Sequence, residues 1–324
     1  MRNPDDPDRG RALGVFPADD LSEATAVDRW LDGGLSVVVT FVGTDVSPAA
    51  RDRFVEKYLT AIWDAGYVPV VTLEPWNIDG VSSAGLFEDG DTIRGWATRL
   101  ADWVEESPER TLFLRPAHEM NGSWYPWSVG AGLDPADYRR AWRTMYDTFR
   151  EAGLVGERVR WLWCINAETT ADVDPLSCYP GDDYVDWVGV DGYNFGDSQA
   201  WSTWIDPGTV FESAFERLRT LTDAPLSVPE FGCSPMRAGT HDPSGKSTWI
   251  TDAFDLFDDW DVRLAGWFNT TKETDWRVLD PAPDGDGRYP GTVRFDGTRY
   301  AVYPSFRRAA KRYLDGGGVT GTGW

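Results

Sequence analysis

The chain has 324 residues and carries 53 Asp and Glu against 31 Lys and Arg, a formal charge of −22. That length buries a core readily. So negative a surface repels phosphate backbones and anionic membranes, which excludes nucleic acid and acidic lipid as expected partners and leaves a neutral polymer unopposed. The acids are spread along the chain rather than gathered in a tail, and at molar salt screening shortens their repulsion to about 3 Å, so a halophilic source is expected. Cys164, Cys178 and Cys233 are odd in number and lack metal-ligand spacing; buried free thiols are the preferred reading, with a Cys164–Cys178 disulfide as the alternative. No apolar run approaches the ~18 residues of a membrane span, and Met1 to Gly10 has no signal-like apolar region.

In chain order, short β-rich runs alternate with longer helical ones. Leu13 to Phe16 predicts a first strand, followed by a helix capped near Ser22 and closing on Gly33-Gly34. Ser36 to Phe41, with Val37, Val38 and Val39 in a row, predicts a strand buried on both faces and therefore a parallel sheet. Ser47-Pro48 opens a helix to Gly66. Val68 to Leu73 is the third strand and ends in Glu74-Pro75-Trp76-Asn77. A loop through Gly90 leads to a helix over 91–106, and Thr111 to Leu114 is the fourth strand. Asp134-Pro135 starts a helix whose Tyr138, Ala141, Trp142, Met145 and Phe149 share one core face. Strands follow at Val159 to Ile165, Trp187 to Val190, Leu226 to Val228 and Leu264 to Phe268, with helices around 208–221, 246–258 and 304–314. Asn269 to Trp276 reads equally as a cover over a ligand or a solvated loop, Pro281 to Gly291 as a surface loop, and the glycine-dense 315–324 as a flexible tail.

Eight strands alternating with helices over residues 1–314 predict a single-domain α/β fold, a (β/α)8 TIM barrel. The doubly wound sheet is the alternative, but its glycine-rich first turn is absent, and so is a basic site for a dinucleotide phosphate. In a barrel all strands point their carboxyl ends at one mouth, so the strand ends can be read as a site. They carry Glu74 and Trp76, then Arg115, His118, Glu119 and Asn121, then Asn166 and Glu168, then Asp191, Tyr193 and Asn194, then Glu230, then Trp267 and Asn269. Acids, amides and aromatics dominate and cations are scarce, the reverse of a phosphate site.

The densest stretch is Arg115-Pro-Ala-His-Glu-Met-Asn-Gly-Ser-Trp-Tyr-Pro-Trp127. A carboxylic acid between His118 and Asn121, with Trp124, Tyr125 and Trp127 beyond it, suits a sugar: aromatic faces stack on pyranose rings while a carboxyl group serves the glycosidic oxygen. Retaining glycoside hydrolysis needs two carboxyl groups about 5 to 5.5 Å apart, one acid and one nucleophile. Glu119 and Glu230 are the best pair. The charge of Glu230 is expected to raise the pKa of Glu119, while Tyr193 or Arg115 holds Glu230 ionised. Gly232 after Glu230-Phe231 is expected to let the chain turn away from a substrate.

That motif, together with Tyr184-Val-Asp-Trp-Val-Gly-Val-Asp-Gly-Tyr-Asn194, Pro229-Glu-Phe-Gly232 and Gly266-Trp-Phe-Asn269, resembles glycoside hydrolase family 26, the β-mannanases and related retaining endo-glycanases. The resemblance implies Glu119 as acid/base and Glu230 as nucleophile, His118 supporting the pocket, Tyr193 bonding the nucleophile, Asp191 nearby, and Trp124 and Trp267 lining sugar subsites. Pro229 is a departure from the Ser or Thr more usual before the nucleophile, and removes a backbone donor. The expectation is an endo-β-1,4-mannanase, a monomer working without metal or organic cofactor. Mixed-linkage β-glucan and β-1,3-xylan are alternative substrates, and a non-catalytic carbohydrate-binding protein on the same scaffold is the alternative class. A polymeric substrate suggests an extracellular location.

Overall fold

The computed structural model describes residues 10–18, 20–76, 90–170, 172–281 and 288–316. The readings made on residues 1–9, on Asn77 and the loop up to Gly90, on most of Pro281 to Gly291 and on the tail from 317 lie outside the described residues.

Eight strands close a parallel barrel: β1 (Ala12–Phe16), β2 (Leu35–Gly43), β3 (Val68–Glu74), β4 (Leu112–Pro116), β5 (Val159–Asn166), β6 (Trp187–Asn194), β7 (Leu226–Cys233) and β8 (Val262–Phe268). Each is the neighbour of the next in sequence, and β1 pairs with β8 in the register Ala12↔Leu264 to Phe16↔Phe268. The unbroken apolar runs explain the parallel arrangement. Val37, Val38 and Val39 are wholly buried, and all eight residues of β7 are buried, so neither face of these strands meets water. Contacts group the described residues into two compact units, Val38–Asp191 with Glu216–Ser227, and the remainder.

The helices are α1 (Leu21–Trp30), α2 (Pro48–Arg53, a π segment Phe54–Leu59 and Thr60–Asp64), α3 (Gly90–Glu105), α4 (Pro135–Glu151), α5 (Pro207–Leu221), α6 (Pro243–Asp259) and α7 (Pro304–Gly316). Proline recurs at the first turn, where its missing N–H costs nothing. On α4 the Asp134 carboxylate caps Ala136 N–H at 2.7 Å, and Tyr138, Trp142, Met145 and Phe149 are buried while Ala141 is half-buried. On α1 the cap is Asp20, accepting from Ser22 N–H at 2.9 Å, rather than Ser22 itself.

Two features differ from the sequence reading. A three-stranded sheet of Leu279–Asp280, Gly291–Phe295 and Thr298–Val302 follows the barrel. Its hairpin turns on Asp296-Gly297 at φ 50° and 75°, the two positive values that a type I′ turn requires. The stretch after β8 is also clamped. Asn269 is fully buried; its side chain accepts from Val278 N–H at 2.9 Å and donates to the Leu279 carbonyl at 3.1 Å. Lys246 of α6, fully buried over the rings of Tyr303 and Trp267, donates to the Asp275 and Arg277 carbonyls at 2.9 and 3.0 Å.

Burial pulls the Lys246 pKa down to about 8, with Asp275 opposing it in part. Between pH 8 and the ordinary value of 10.5, the unfolded chain holds a proton that the folded chain has released, so this group's contribution to stability rises with pH across that window. Lys246→Met strands two carbonyls and should cost about 1–3 kcal/mol at neutral pH. In urea unfolding, the gap between wild type and variant should widen from about pH 7 to pH 10; a gap that narrows contradicts the assignment.

Candidate active site

In the first unit, β4 delivers Arg115 to the barrel interior and then turns sharply. Ala117 and Glu119 have φ of 45° and 52°, the left-handed region, which costs about 1–3 kcal/mol for such residues and persists only where surroundings impose it. Here they do. Ala117 N–H donates to the Leu73 carbonyl at 3.0 Å and Glu119 N–H to the Cys164 carbonyl at 2.9 Å. The Tyr138 hydroxyl donates to the Ala117 carbonyl at 2.9 Å, and Trp127 Nε1 to the His118 carbonyl at 2.7 Å.

The Glu119 carboxylate, 6% exposed, accepts from Asn166 Nδ2 at 2.7 Å on one oxygen and from Trp124 Nε1 at 2.9 Å on the other. Asn166 is aimed by Asn121. The Asn121 Oδ1 accepts from Asn166 N–H at 2.8 Å and its Nδ2 donates to the Asn166 carbonyl at 2.7 Å and to Thr169 Oγ1 at 3.1 Å. His118 Nε2 lies 3.2 Å from the Tyr125 hydroxyl, and Tyr125 stacks on Trp127 at 4.3 Å. Trp76 packs edge-on to both rings and donates from Nε1 to Glu74 at 3.0 Å.

Beneath this lies a buried ion pair. Arg115 and Asp191 are both inaccessible; Arg115 Nη1 reaches the two Asp191 oxygens at 2.9 and 2.7 Å, and its Nε and Nη2 donate to Thr72 Oγ1 at 2.9 and 2.6 Å.

In the second unit, Glu230 is 5% exposed and accepts from the Tyr193 hydroxyl at 2.7 Å. The Tyr193 ring rests on Phe268 and Trp276 at 5.7 and 5.0 Å. Gly232 serves this packing rather than a turn: a Cβ there would lie 3.0 Å from the Trp276 ring and 3.3 Å from that of Tyr193.

The expected site residues thus separate into those near the two carboxylates and those behind them. Trp124 is bonded to Glu119 and Tyr193 to Glu230, and Trp124 and Trp76 are exposed, at 45% and 37%. Trp127 and Trp267 have none, which corrects their placement on sugar subsites. Trp267 donates from Nε1 to the Trp276 carbonyl at 3.0 Å and packs on Phe231 and Phe306 at 4.9 and 5.4 Å, so it faces the helices. Because side chains alternate along a strand, the next residue, Phe268, faces the other way and stacks on Phe16 at 4.7 Å. Arg115 and Asn121, also inaccessible, hold partners rather than meeting a ligand. Asn166, read from sequence as one of the strand-end residues, closes β5 and donates to Glu119.

By fold the chain is a (β/α)8 barrel with its acids, amides and aromatic rings at the strand ends. The catalytic domain of a family 26 endo-β-1,4-mannanase from a Bacillus species shares that fold, with a TM-score of 0.66 and 18% identity over 94% of this chain and 87% of that one. The chain belongs to glycosyl hydrolase family 26, whose profile matches residues 70–229. It is 32% identical to Endoglucanase H of Acetivibrio thermocellus over 232 residues, 69% of this chain and 24% of that protein. It is 30% identical over 164 residues to Mannan endo-1,4-beta-mannosidase A and B of Caldalkalibacillus mannanilyticus, 48% of this chain and 29% of that protein. The chain therefore spans about a quarter of the length of these relatives.

Asp191→Asn removes the counter-charge of a sealed guanidinium and should cost about 3–5 kcal/mol. Thermal or urea unfolding checks this, and a change below about 0.5 kcal/mol, the size of a surface substitution, would show the pair to be dispensable.

Proposed function

We propose that this chain is a retaining glycoside hydrolase that cleaves internal β-bonds of a neutral polysaccharide, with Glu119 as acid/base and Glu230 as nucleophile. The observation that carries the reading is that two enclosed carboxylates, each held by directed donors, lie in the turn after the fourth strand and in the last half of the seventh strand of one closed parallel barrel, and such strands open their carboxyl ends to one mouth. Further support comes from the family profile, which runs through β4 and stops one residue before Glu230.

In this mechanism Glu230, oriented by the Tyr193 hydroxyl, attacks the anomeric carbon while Glu119 passes its proton to the departing glycosidic oxygen. A covalent glycosyl-enzyme forms at Glu230. Glu119, now a carboxylate, takes a proton from water, whose oxygen displaces Glu230 and restores the original anomeric configuration. The Asn166 and Trp124 donors hold the acid/base in place. Both steps run on the two carboxyl groups and water alone.

β-1,4-Mannan is the leading substrate, since the Caldalkalibacillus relative is named for mannan hydrolysis. Mixed-linkage β-glucan is the second reading, favoured because the relative matched over the longer stretch is named an endoglucanase; β-1,3-xylan completes the set. We read the protein as a monomer with no nucleic-acid or membrane partner, on the strength of its charge of −22. That charge also suits a saline environment: raising NaCl from about 0.1 M to 1 M, which shortens screening from about 10 Å to 3 Å, should raise the melting temperature, and no change would count against a halophilic source.

Sugar release from the three polymers tests the main reading. Glu119→Gln and Glu230→Gln should each lose at least about 10²–10⁴-fold in kcat on the polymer that wild type cleaves. Full activity in either variant removes that residue from the mechanism. Wild type that binds a polymer but releases no sugar would instead make the chain a carbohydrate-binding protein.

A further inference from the structure

Beyond β6 the chain runs through residues 195–206 without regular structure before α5 begins, a long connection for a compact domain. Trp201, in the middle of it, is 68% exposed, more than Trp124 or Trp76. A single exposed aromatic needs no explanation by itself. The support beneath this one sets it apart.

The loop backbone is pinned along its length. Asn194 Oδ1 accepts from Gly196 N–H at 3.0 Å and Ile205 N–H at 3.2 Å, drawing its two ends together. Asp197 N–H donates to the Met236 carbonyl at 3.0 Å, the Ser202 hydroxyl donates to the Gly196 carbonyl at 2.6 Å, and Gln199 Nε2 donates to the Glu273 carbonyl at 2.9 Å. Gly196, at φ 54°, has no room for a side chain, because a Cβ would strike the Met236 carbonyl. Trp201 is therefore presented on a preformed loop.

Its position is also specific. The Phe195 ring meets Trp201 at 4.9 Å and 60°, meets Trp276 at 4.9 Å and 82°, and lies 5.9 Å from Tyr193, the donor to Glu230. One continuous set of rings thus runs from the carboxylate of β7 to the surface and ends in an indole. Trp204, on the same loop, is already covered by the Arg237 guanidinium at 5.0 Å, whereas Trp201 meets Phe195 edge-on.

We propose that Trp201 is a stacking platform for a pyranose of the polysaccharide chain, at a distance from the bond being cleaved, and that it gives the enzyme a preference for longer chains. The inference rests on the glycanase reading above and extends it. One exposed indole is far smaller than a stable protein contact, which buries about 800 Å² per partner. A pyranose matches it: its C–H face covers an indole while its hydroxyls stay in water. Because the loop is already ordered, stacking would add affinity without an ordering cost.

The test is a chain-length series on wild type, Trp201→Ala and Trp201→Phe, using β-1,4-linked mannotriose to mannohexaose and mixed-linkage glucan oligosaccharides of the same lengths. In wild type, kcat/KM should climb with length on the series that is cleaved. In Trp201→Ala the hexamer-to-trimer ratio should fall about tenfold, equivalent to about 1.4 kcal/mol of lost binding, mainly through KM, and Trp201→Phe should recover much of it. A ratio equal to that of wild type, or a loss equal at every length, overturns the platform while leaving the glycanase reading intact. If wild type cleaves neither series, nor β-1,3-linked xylo-oligosaccharides of the same lengths, the glycanase reading fails and the platform with it.

Discussion

Glu119 stands on a backbone that a side chain ordinarily avoids, and buried hydrogen bonds from several sides keep it there. The left-handed turns at Ala117 and Glu119 are imposed by neighbouring strands, through the Leu73 and Cys164 carbonyls, and by two buried aromatic donors, Tyr138 and Trp127. A strained turn held from several sides is a rigid one, and rigidity is what a carboxyl group needs if it is to meet a reacting atom at a fixed distance. The Arg115–Asp191 pair below fills the barrel interior with charge that cannot leave, so the strands that carry these groups share one buried anchor.

Glu230 is held by different means. Its partner Tyr193 is fixed by ring packing on Phe268 and Trp276, which Gly232 permits by lacking a side chain. Trp276 is in turn kept in place by the stretch that Asn269 and Lys246 clamp. A charged lysine sealed in a protein interior is costly, and this one gives two backbone carbonyls their donors in a segment that would otherwise be a loose connection. The segment read from sequence as a solvated loop or a cover is instead part of the support for Tyr193.

Much of this was legible in the residues. Consecutive apolar runs, with Val37 to Val39 the clearest, marked parallel strands, and polar residues at the ends of those runs marked the mouth. Orientation at single positions was harder. Trp127 and Trp267 have the composition of sugar-binding residues, but a one-residue offset on a strand or loop decides whether an indole meets solvent or the core, and nothing local in the sequence fixes that offset. Arg115 and Asn121 were found as polar residues beside Glu119, yet their burial depends on Asp191, Thr72 and Asn166, which lie far along the chain. The hairpin at Asp296-Gly297 carried its turn signal openly; the prolines and glycines before it masked the strands it joins.

The account depends on Glu230 attacking carbon directly, and covalent trapping reports on that step alone. A 2-deoxy-2-fluoro glycoside of the cleaved sugar with a good leaving group should inactivate the protein, and peptide mass mapping should place one added sugar on Glu230. Label on Glu74 or Glu168, or a product whose anomeric configuration is inverted, would contradict the account.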